Sequence, residues 1–97
     1  MHVTTKKRLQ AFWVLHPDAE HPLREWFRTM EQGNFPDFTS VRAIWPSADY
    51  VNGLTVFNIG GNKYRLIVDM RYNLGRVYIQ EVLTHADHDR GLWKRGT

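Results

Sequence analysis

The chain has 97 residues, 42% hydrophobic and 13% aromatic, which predicts one globular domain over residues 1–97 and excludes an intrinsically disordered segment. It contains no cysteine, so disulfides, thiol catalysis and thiolate metal sites are excluded. The net charge of +3 is mildly basic, which is compatible with a polyanionic partner and equally with an ordinary basic protein.

The first third of the chain predicts a short strand followed by two amphipathic helices. Residues 1–5 are rich in β-branched side chains, which favours a strand. Residues 9–16 carry large side chains at i, i+3, i+4 and i+7, which indicates a helix, and Pro17 ends it. The same spacing over residues 23–30 predicts a second helix that ends at Gly33-Asn34. The short turn between them predicts an antiparallel helical hairpin.

After a loop, Thr39 or Ser40 is expected to cap a short helix that Pro46 closes. Residues 47–52 are interpreted as a connection, and the hydrophobic period then changes from 3.6 to 2. The predicted strands span 54–59, 63–72 and 76–83. The order of elements predicts an α+β fold, with an N-terminal strand and a helical hairpin packed on one face of a small, mainly antiparallel sheet.

Strict alternation along these strands assigns their side chains to two faces. The helices must cover the apolar face, which in the last strand would carry Val77, Ile79 and Leu83, while Gln80 and Val82 would point to the open face. The open face would present four cations and an aromatic side chain: Lys63, Arg65, Arg71, Arg76 and Tyr78. This set suits an RNA backbone and a stacked base, although a solvated basic face with Asp69 paired to an arginine explains it as well.

The segment from His85 to Asp89 is dense in titratable groups and follows directly on a strand. His85 and His88 are suited to acid–base catalysis near neutral pH. A metal site is not expected, because no third ligand stands at a familiar spacing. The competing interpretation is structural, with Asp87 or Asp89 capping the tail and both histidines exposed.

Two motifs resemble the HigB branch of the RelE-like toxins. The first is the hairpin sequence of residues 57–68, Phe-Asn-Ile-Gly-Gly-Asn-Lys-Tyr-Arg-Leu-Ile-Val, and the second is Thr-His-Ala-Asp-His-Asp at residues 84–89. Weaker similarity at residues 1–3, 16–20 and 41–48 extends the resemblance over most of the chain. A RelE-like fold is therefore expected, and His88 departs from the tyrosine that many relatives carry at this position.

The resemblance implies the toxin of a type II toxin–antitoxin pair, an endoribonuclease that cleaves mRNA, often during translation on the ribosome. It implies no cofactor and no metal. The implied partner is a HigA-type antitoxin with a helix-turn-helix. The toxin would be brought to operator DNA only by this antitoxin. The alternative function is a non-catalytic module that binds RNA or protein through the basic face.

Cleavage of this type would use the 2′-hydroxyl of the RNA, so the site needs an acid, a base and cations against the phosphorane. The candidate catalytic residues are Arg65, Lys63, His85, His88 and Asp89, with Arg65 first for the phosphate and Asp89 orienting a histidine. The candidate RNA-binding residues are Arg71, Arg76, Tyr78 and Lys94. Since the sequence shows neither a signal-peptide pattern nor a long apolar run, a cytoplasmic protein with no membrane partner is expected.

Overall fold

A computed structural model describes residues 1–89. The helices are α1 (Lys6–Leu15), α2 (Glu20–Gln32), α3 (Phe38–Ile44) and α4 (His85–Asp89), and the strands are β1 (His2–Thr4), β2 (Asp49–Val51), β3 (Leu54–Ile59), β4 (Tyr64–Arg71) and β5 (Arg76–Thr84). Two one-turn 3₁₀ helices, Pro17–Ala19 and Tyr72–Leu74, connect α1 to α2 and β4 to β5. In this part of the chain, no helix is both long and apolar enough to cross a membrane.

The five strands form one sheet in the order β1-β5-β4-β3-β2. Strand β1 runs parallel to β5, and every other neighbouring pair is antiparallel. The predicted α+β fold is confirmed, but the interpretation of residues 47–52 as a connection is wrong at Asp49–Val51, which forms the edge strand β2. The strand is three residues long and mostly exposed, so it shows no burial pattern that alternation could detect.

All the core side chains lie between the helices and one face of the sheet. The indole of Trp26 on α2 packs edge-on against Phe57 of β3, with 5.5 Å between ring centroids, and Trp45 reaches the same ring at 5.1 Å. From the strands, the core contains Val3, Phe57, Ile59, Tyr64, Leu66, Val68, Val77 and Ile79. The opposite face of the sheet lies outside this core, although Val56 and Ile67 on that face are also buried, at 4% and 1% exposure.

Helix α3 begins at Phe38, and its cap is Asp37 rather than the predicted Thr39 or Ser40. The Asp37 carboxylate accepts from the backbone N–H of Ser40 at 2.9 Å, and the Ser40 hydroxyl in turn lies near the N–H of Asp37. Such a reciprocal capping box satisfies two backbone donors that a helix start leaves unpaired. The prediction was wrong because Ser40 serves as the N3 residue of the box and not as its cap.

Strand β5 contains a β-bulge that reverses the predicted alternation in its second half. Ile79 pairs with Val68, whereas Glu81 pairs with Ile67, so Gln80 is an extra residue in the ladder. Beyond the bulge, Val82 lies opposite Leu66 and packs against the core, and Leu83 lies opposite Arg65 on the open face. The predicted faces of Val82 and Leu83 are therefore wrong, because strict alternation assumes an unbroken ladder.

Candidate active site

One end of the sheet brings together the start of β4, the end of β5 and the first turn of α4. Thr84 at the end of β5 lies opposite Tyr64, and the backbone N–H of His85 donates to the carbonyl of Lys63 at 3.0 Å. Lys63 belongs to the turn after β3, in which Gly60 and Gly61 adopt positive φ angles of 62° and 70°. The turn and α4 are thus held side by side by a backbone hydrogen bond.

Arg65 is the central side chain of this end of the sheet. Its guanidinium donates to the carbonyls of Tyr64 and Asn62, at 3.2 and 3.4 Å, and contacts His85 Nδ1 at 2.9 Å. Although it is a charged residue on the face that the helices do not cover, Arg65 is only 8% exposed. The protein therefore holds this fork in one orientation with backbone carbonyls and an imidazole.

The charge of Arg65 is not balanced by a carboxylate among the described side chains, and, unlike Arg8, Arg42 and Arg76, which also lack an ion pair but are exposed, Arg65 is buried. Three other arginines of the fold do have a carboxylate partner. Arg24 pairs with Glu20, Arg28 with Glu25 and Arg71 with Asp69, at nitrogen–oxygen distances of 2.7, 2.5 and 2.9 Å. Among residues 1–87, whose side chains the structure describes, no carboxylate lies within ion-pair distance of Arg65. Burying a cation without a counter-ion costs free energy, and an anion that reaches this guanidinium would recover it.

The contact with Arg65 also determines how the His85 ring can act. A guanidinium nitrogen can only donate a hydrogen bond, so Nδ1 of His85 must accept. In the neutral ring the proton then sits on Nε2. The exposed imidazole therefore offers an N–H donor on the side away from Arg65.

Helix α4 begins immediately after β5 and contains His85, His88 and Asp89. Its first turn is capped by Thr84, whose hydroxyl oxygen accepts from the N–H of Asp87 at 3.2 Å. The competing interpretation, in which Asp87 or Asp89 caps the tail, concerns a tail that lies outside the described part of the chain, and it stays a prediction. Among the residues that the structure describes, no three histidine or acidic side chains converge as a metal site requires.

Lys63 lies in the turn ahead of β4, and its ammonium reaches the helical layer. Its Nζ pairs with Asp18 Oδ2 at 3.1 Å, and the Tyr64 hydroxyl donates to the other oxygen of Asp18 at 2.5 Å. The bonds from Tyr64 and Lys63 lower the pKa of Asp18, and the neighbouring carboxylate raises the pKa of Tyr64. Alternation predicted Lys63 on the open face, but the residue precedes the strand, so alternation does not apply to it.

A small part of the stability of the protein is expected to depend on the ionisation of Asp18, since its ion pair with Lys63 is more than half exposed and is screened by solvent. Because the folded state lowers the pKa of this carboxyl, its contribution is present above about pH 4, the ordinary value for aspartate, and is lost as the pH falls through the lowered value. Urea midpoints measured down to pH 2 should show the parent losing its advantage over Asp18→Asn. A constant difference across this range would contradict the expectation.

The remaining predicted RNA contacts lie at the other end of the sheet. Arg71 lies opposite Arg76, and Asp69 lies opposite Tyr78, at the end of β4 that is about 20 Å from Arg65 at 3.3 Å per residue. As predicted for Asp69, it pairs with an arginine, Arg71. The five predicted open-face residues thus form two groups rather than one wall, and Lys94 lies outside the described residues.

The fold and this site define a small α+β protein with a buried arginine in contact with a histidine. Similarity to known proteins defines its family. A family model described as HigB toxin, the RelE-like toxic component of a toxin–antitoxin system, matches residues 19–91. The chain belongs to this HigB family, which confirms the resemblance and implies an antitoxin partner.

Curated relatives match along nearly the whole chain. The mRNA interferase toxin HigB of Escherichia coli strain K12 is 33% identical over 92 residues, 92% of this chain and 88% of the relative. The mRNA interferase HigB of Shigella flexneri gives the same values. The mRNA interferase HigB of Escherichia coli O6:H1 is 24% identical over 93 residues, 93% of this chain and 90% of the relative.

Proposed function

We propose that this protein is the toxin of a type II toxin–antitoxin pair and acts as an mRNA-cleaving endoribonuclease in the cytoplasm. The observation that carries the proposal is the buried Arg65, held by carbonyls and by His85 with no carboxylate partner in residues 1–87. Such a fork is suited to two oxygens of a phosphate. Membership of the HigB family and the names of the curated relatives support the same activity.

The proposed reaction is a metal-independent transesterification by the 2′-hydroxyl of the RNA. The 2′ oxygen forms a bond to the adjacent phosphorus, and the bond from phosphorus to the 5′ oxygen breaks, which leaves a 2′,3′-cyclic phosphate and a 5′-hydroxyl. Arg65 would bind the non-bridging oxygens, whose negative charge grows in the phosphorane. Fixed donors aimed at that charge stabilise the transition state more than the ground state.

We assign the general acid to His85. Its Nδ1 accepts from Arg65, so Nε2 carries the proton that the leaving 5′ oxygen requires. Removal of the 2′ proton then falls to a second group, for which His88 is our candidate with Asp89 as its orienting carboxylate. Both residues belong to α4, the same short helix that His85 begins. Lys63 is proposed to assist through its positive charge from the turn before β4, where its Nζ pairs with Asp18.

Recognition of the RNA strand is proposed to extend over the open face of the sheet. Arg76 and Tyr78, together with Arg71, would contact the backbone and a base about 13 to 20 Å from Arg65, and Lys94 is proposed as a further contact. The substrate is proposed to be mRNA on the ribosome. The partner is proposed to be a HigA-type antitoxin, through which alone the toxin would be brought to operator DNA.

The chemistry predicts that the purified protein cleaves a short RNA in the presence of excess EDTA. The fragments should end in a 2′,3′-cyclic phosphate and begin with a 5′-hydroxyl, which mass spectrometry distinguishes from the products of metal-assisted hydrolysis. Substrates with a single 2′-deoxy position should resist cleavage there. Loss of activity in EDTA, or cleavage at a 2′-deoxy position, would contradict this mechanism.

The alternative is a module that binds RNA or protein without cleavage, and the group of Arg71, Arg76 and Tyr78 favours it because it lies far from His85. Expression of the protein in a bacterial host, with mapping of new 5′ ends in abundant messages, separates the two. Discrete new ends, suppressed by co-expression of the neighbouring open reading frame, support the toxin. Intact messages in cells that contain folded protein, together with RNA binding that weakens with salt, support the module.

A further inference from the structure

The candidate catalytic pair depends on the backbone of a single turn. The carbonyls of Asn62 and Tyr64 accept from the Arg65 guanidinium, and the carbonyl of Lys63 accepts from the N–H of His85. Three successive carbonyls thus set the position of both side chains. Any movement of this turn would be passed directly to the arginine and the histidine.

The turn begins with two glycines in the left-handed region, Gly60 and Gly61. Glycine restricts the backbone less than any other residue. Nothing lies within 4 Å of the position that a Cβ of Gly61 would occupy, so the turn is not packed at that point. The residues that follow therefore contribute to fixing its shape.

Asp18 holds two of these following residues, Lys63 and Tyr64, from the opposite side of the sheet. Its two carboxylate oxygens accept from Lys63 Nζ and from the Tyr64 hydroxyl, at 3.1 and 2.5 Å, so one side chain clamps two consecutive residues. We propose that Asp18 is a positioning residue, which holds the turn so that Arg65 and His85 stay in catalytic geometry. The assignment rests on the ribonuclease function proposed above.

Asp18 can serve as an anchor because its own position is well determined. It lies in the 3₁₀ turn between α1 and α2, where the N–H of Ala19 donates to the carbonyl of His16 at 2.8 Å and Ala19 is fully buried. The rings of Phe12 and His16 stack with centroids 4.3 Å apart, and Tyr64 packs edge-on against Phe12 at 5.2 Å. The hydrogen bonds to Asp18 thus connect the packed helical hairpin to the turn before β4.

A purely stabilising role does not account for the arrangement. Both members of the Asp18–Lys63 ion pair are more than half exposed, with side-chain exposures of 51% and 65%, and exposed ion pairs contribute little to stability. The main effect of the clamp is therefore expected on geometry. A small displacement of reacting groups can lower a rate by as much as about 10²-fold.

The test compares the parent protein with Asp18→Asn and with Glu20→Gln. Glu20 is a matched control, because it lies two residues away and also carries an ion pair, at 2.7 Å to Arg24. Cleavage of a short RNA gives kcat and KM, and a long-range proton–nitrogen spectrum of the histidine rings reports the tautomer of His85. The His85 signals are identified by their loss in His85→Gln.

Asp18→Asn is expected to lower kcat about tenfold with little change in KM, and to move His85 away from the pure Nε2–H tautomer. Glu20→Gln should change neither. Tyr64→Phe, which removes the other partner of Asp18 but keeps the ring, should act in the same direction and replaces Asp18→Asn if that variant does not fold.

The proposal is overturned if the rate and the His85 spectrum of Asp18→Asn equal those of the parent, or if the rate falls while the spectrum is unchanged. Equal changes in Glu20→Gln would overturn it as well. The spectrum requires no RNA, so it decides whether Asp18 positions the pair even if the parent cleaves nothing. In that case the ribonuclease function would fail independently.

Discussion

Arg65→Lys is expected to lower the rate of RNA cleavage about 10²- to 10³-fold, the range found for the loss of one preorganised donor to a developing oxyanion. Lysine keeps the positive charge but lacks the planar fork. It therefore cannot donate to two phosphate oxygens while it also bonds to a carbonyl and to His85 Nδ1. The rate should be measured in single turnovers with protein in excess, so that the chemical step is observed.

Arg71→Lys is the matched control for this substitution. Arg71 lies on the same strand and the same face, but it is exposed, pairs with Asp69 and lies about 20 Å away. Its replacement should weaken RNA binding and leave the single-turnover rate at saturation close to that of the parent. Urea midpoints of both variants verify the fold. Parental activity in Arg65→Lys, or an equal loss in both variants, would remove Arg65 from the catalytic step.

His85→Gln is expected to lower the rate about 10²- to 10⁴-fold, the usual contribution of a positioned acid or base. Glutamine can still form a hydrogen bond to Arg65 or to the RNA, but it cannot transfer a proton. The pH–rate profile of the variant should lose the limb that reports protonation of this histidine. His21→Gln is the control, since His21 is exposed on the first turn of α2.

A substrate with sulfur in place of the leaving 5′ oxygen decides between acid and base. A thiolate has a pKa near 8.5 and departs without protonation, so the sulfur substrate needs no general acid. If His85 is the acid, His85→Gln should cleave this substrate almost as fast as the parent does. If the variant remains slow with sulfur, His85 acts as the base, and the assignment made from the Arg65 contact is wrong.

The sequence predicts the helical layer well because its signals are local. The spacing of apolar side chains over residues 9–16 and 23–30 defines α1 and α2, which end near the predicted proline and glycine. Strand β2 escapes prediction because three mostly exposed residues have no hydrophobic period. The role of Asp37 as the cap of α3 is also not predicted, because Thr39 and Ser40 are equally good capping residues by type.

The candidate site is predictable in composition and not in arrangement. The motif around Arg65 and the Thr84-His85 ending identify the residues through a family resemblance, and their convergence follows from strand pairing. The burial of Arg65 depends on the fold around it, which no short pattern encodes. The hydrogen bonds of Asp18 reach residues that lie 45 and 46 positions further along the chain. An aspartate after a proline has many possible structural roles, so its place in the sequence does not indicate this one.

The bulge in β5 did leave a signal in the sequence, namely Glu81. Alternation from Val77 and Ile79 would place residue 81 on the covered face, where its carboxylate would lie opposite Leu66 in the core. Burying an unpaired carboxylate is costly, so the extra residue at Gln80 moves Glu81 to the open face. A charge at a position that alternation assigns to the core thus indicates a register shift.

Because of the bulge, β5 has one residue more than regular pairing with β4 requires. The second half of β5 could therefore pair with β4 in two registers. In the regular register, Leu83 would enter the core and His85 would follow it to the helical side, away from Arg65. Glu81 disfavours that register, so a residue outside the candidate catalytic set keeps His85 on the same face as Arg65. Deletion of Gln80 would keep His85 in place, whereas Glu81→Leu would allow the two registers to compete.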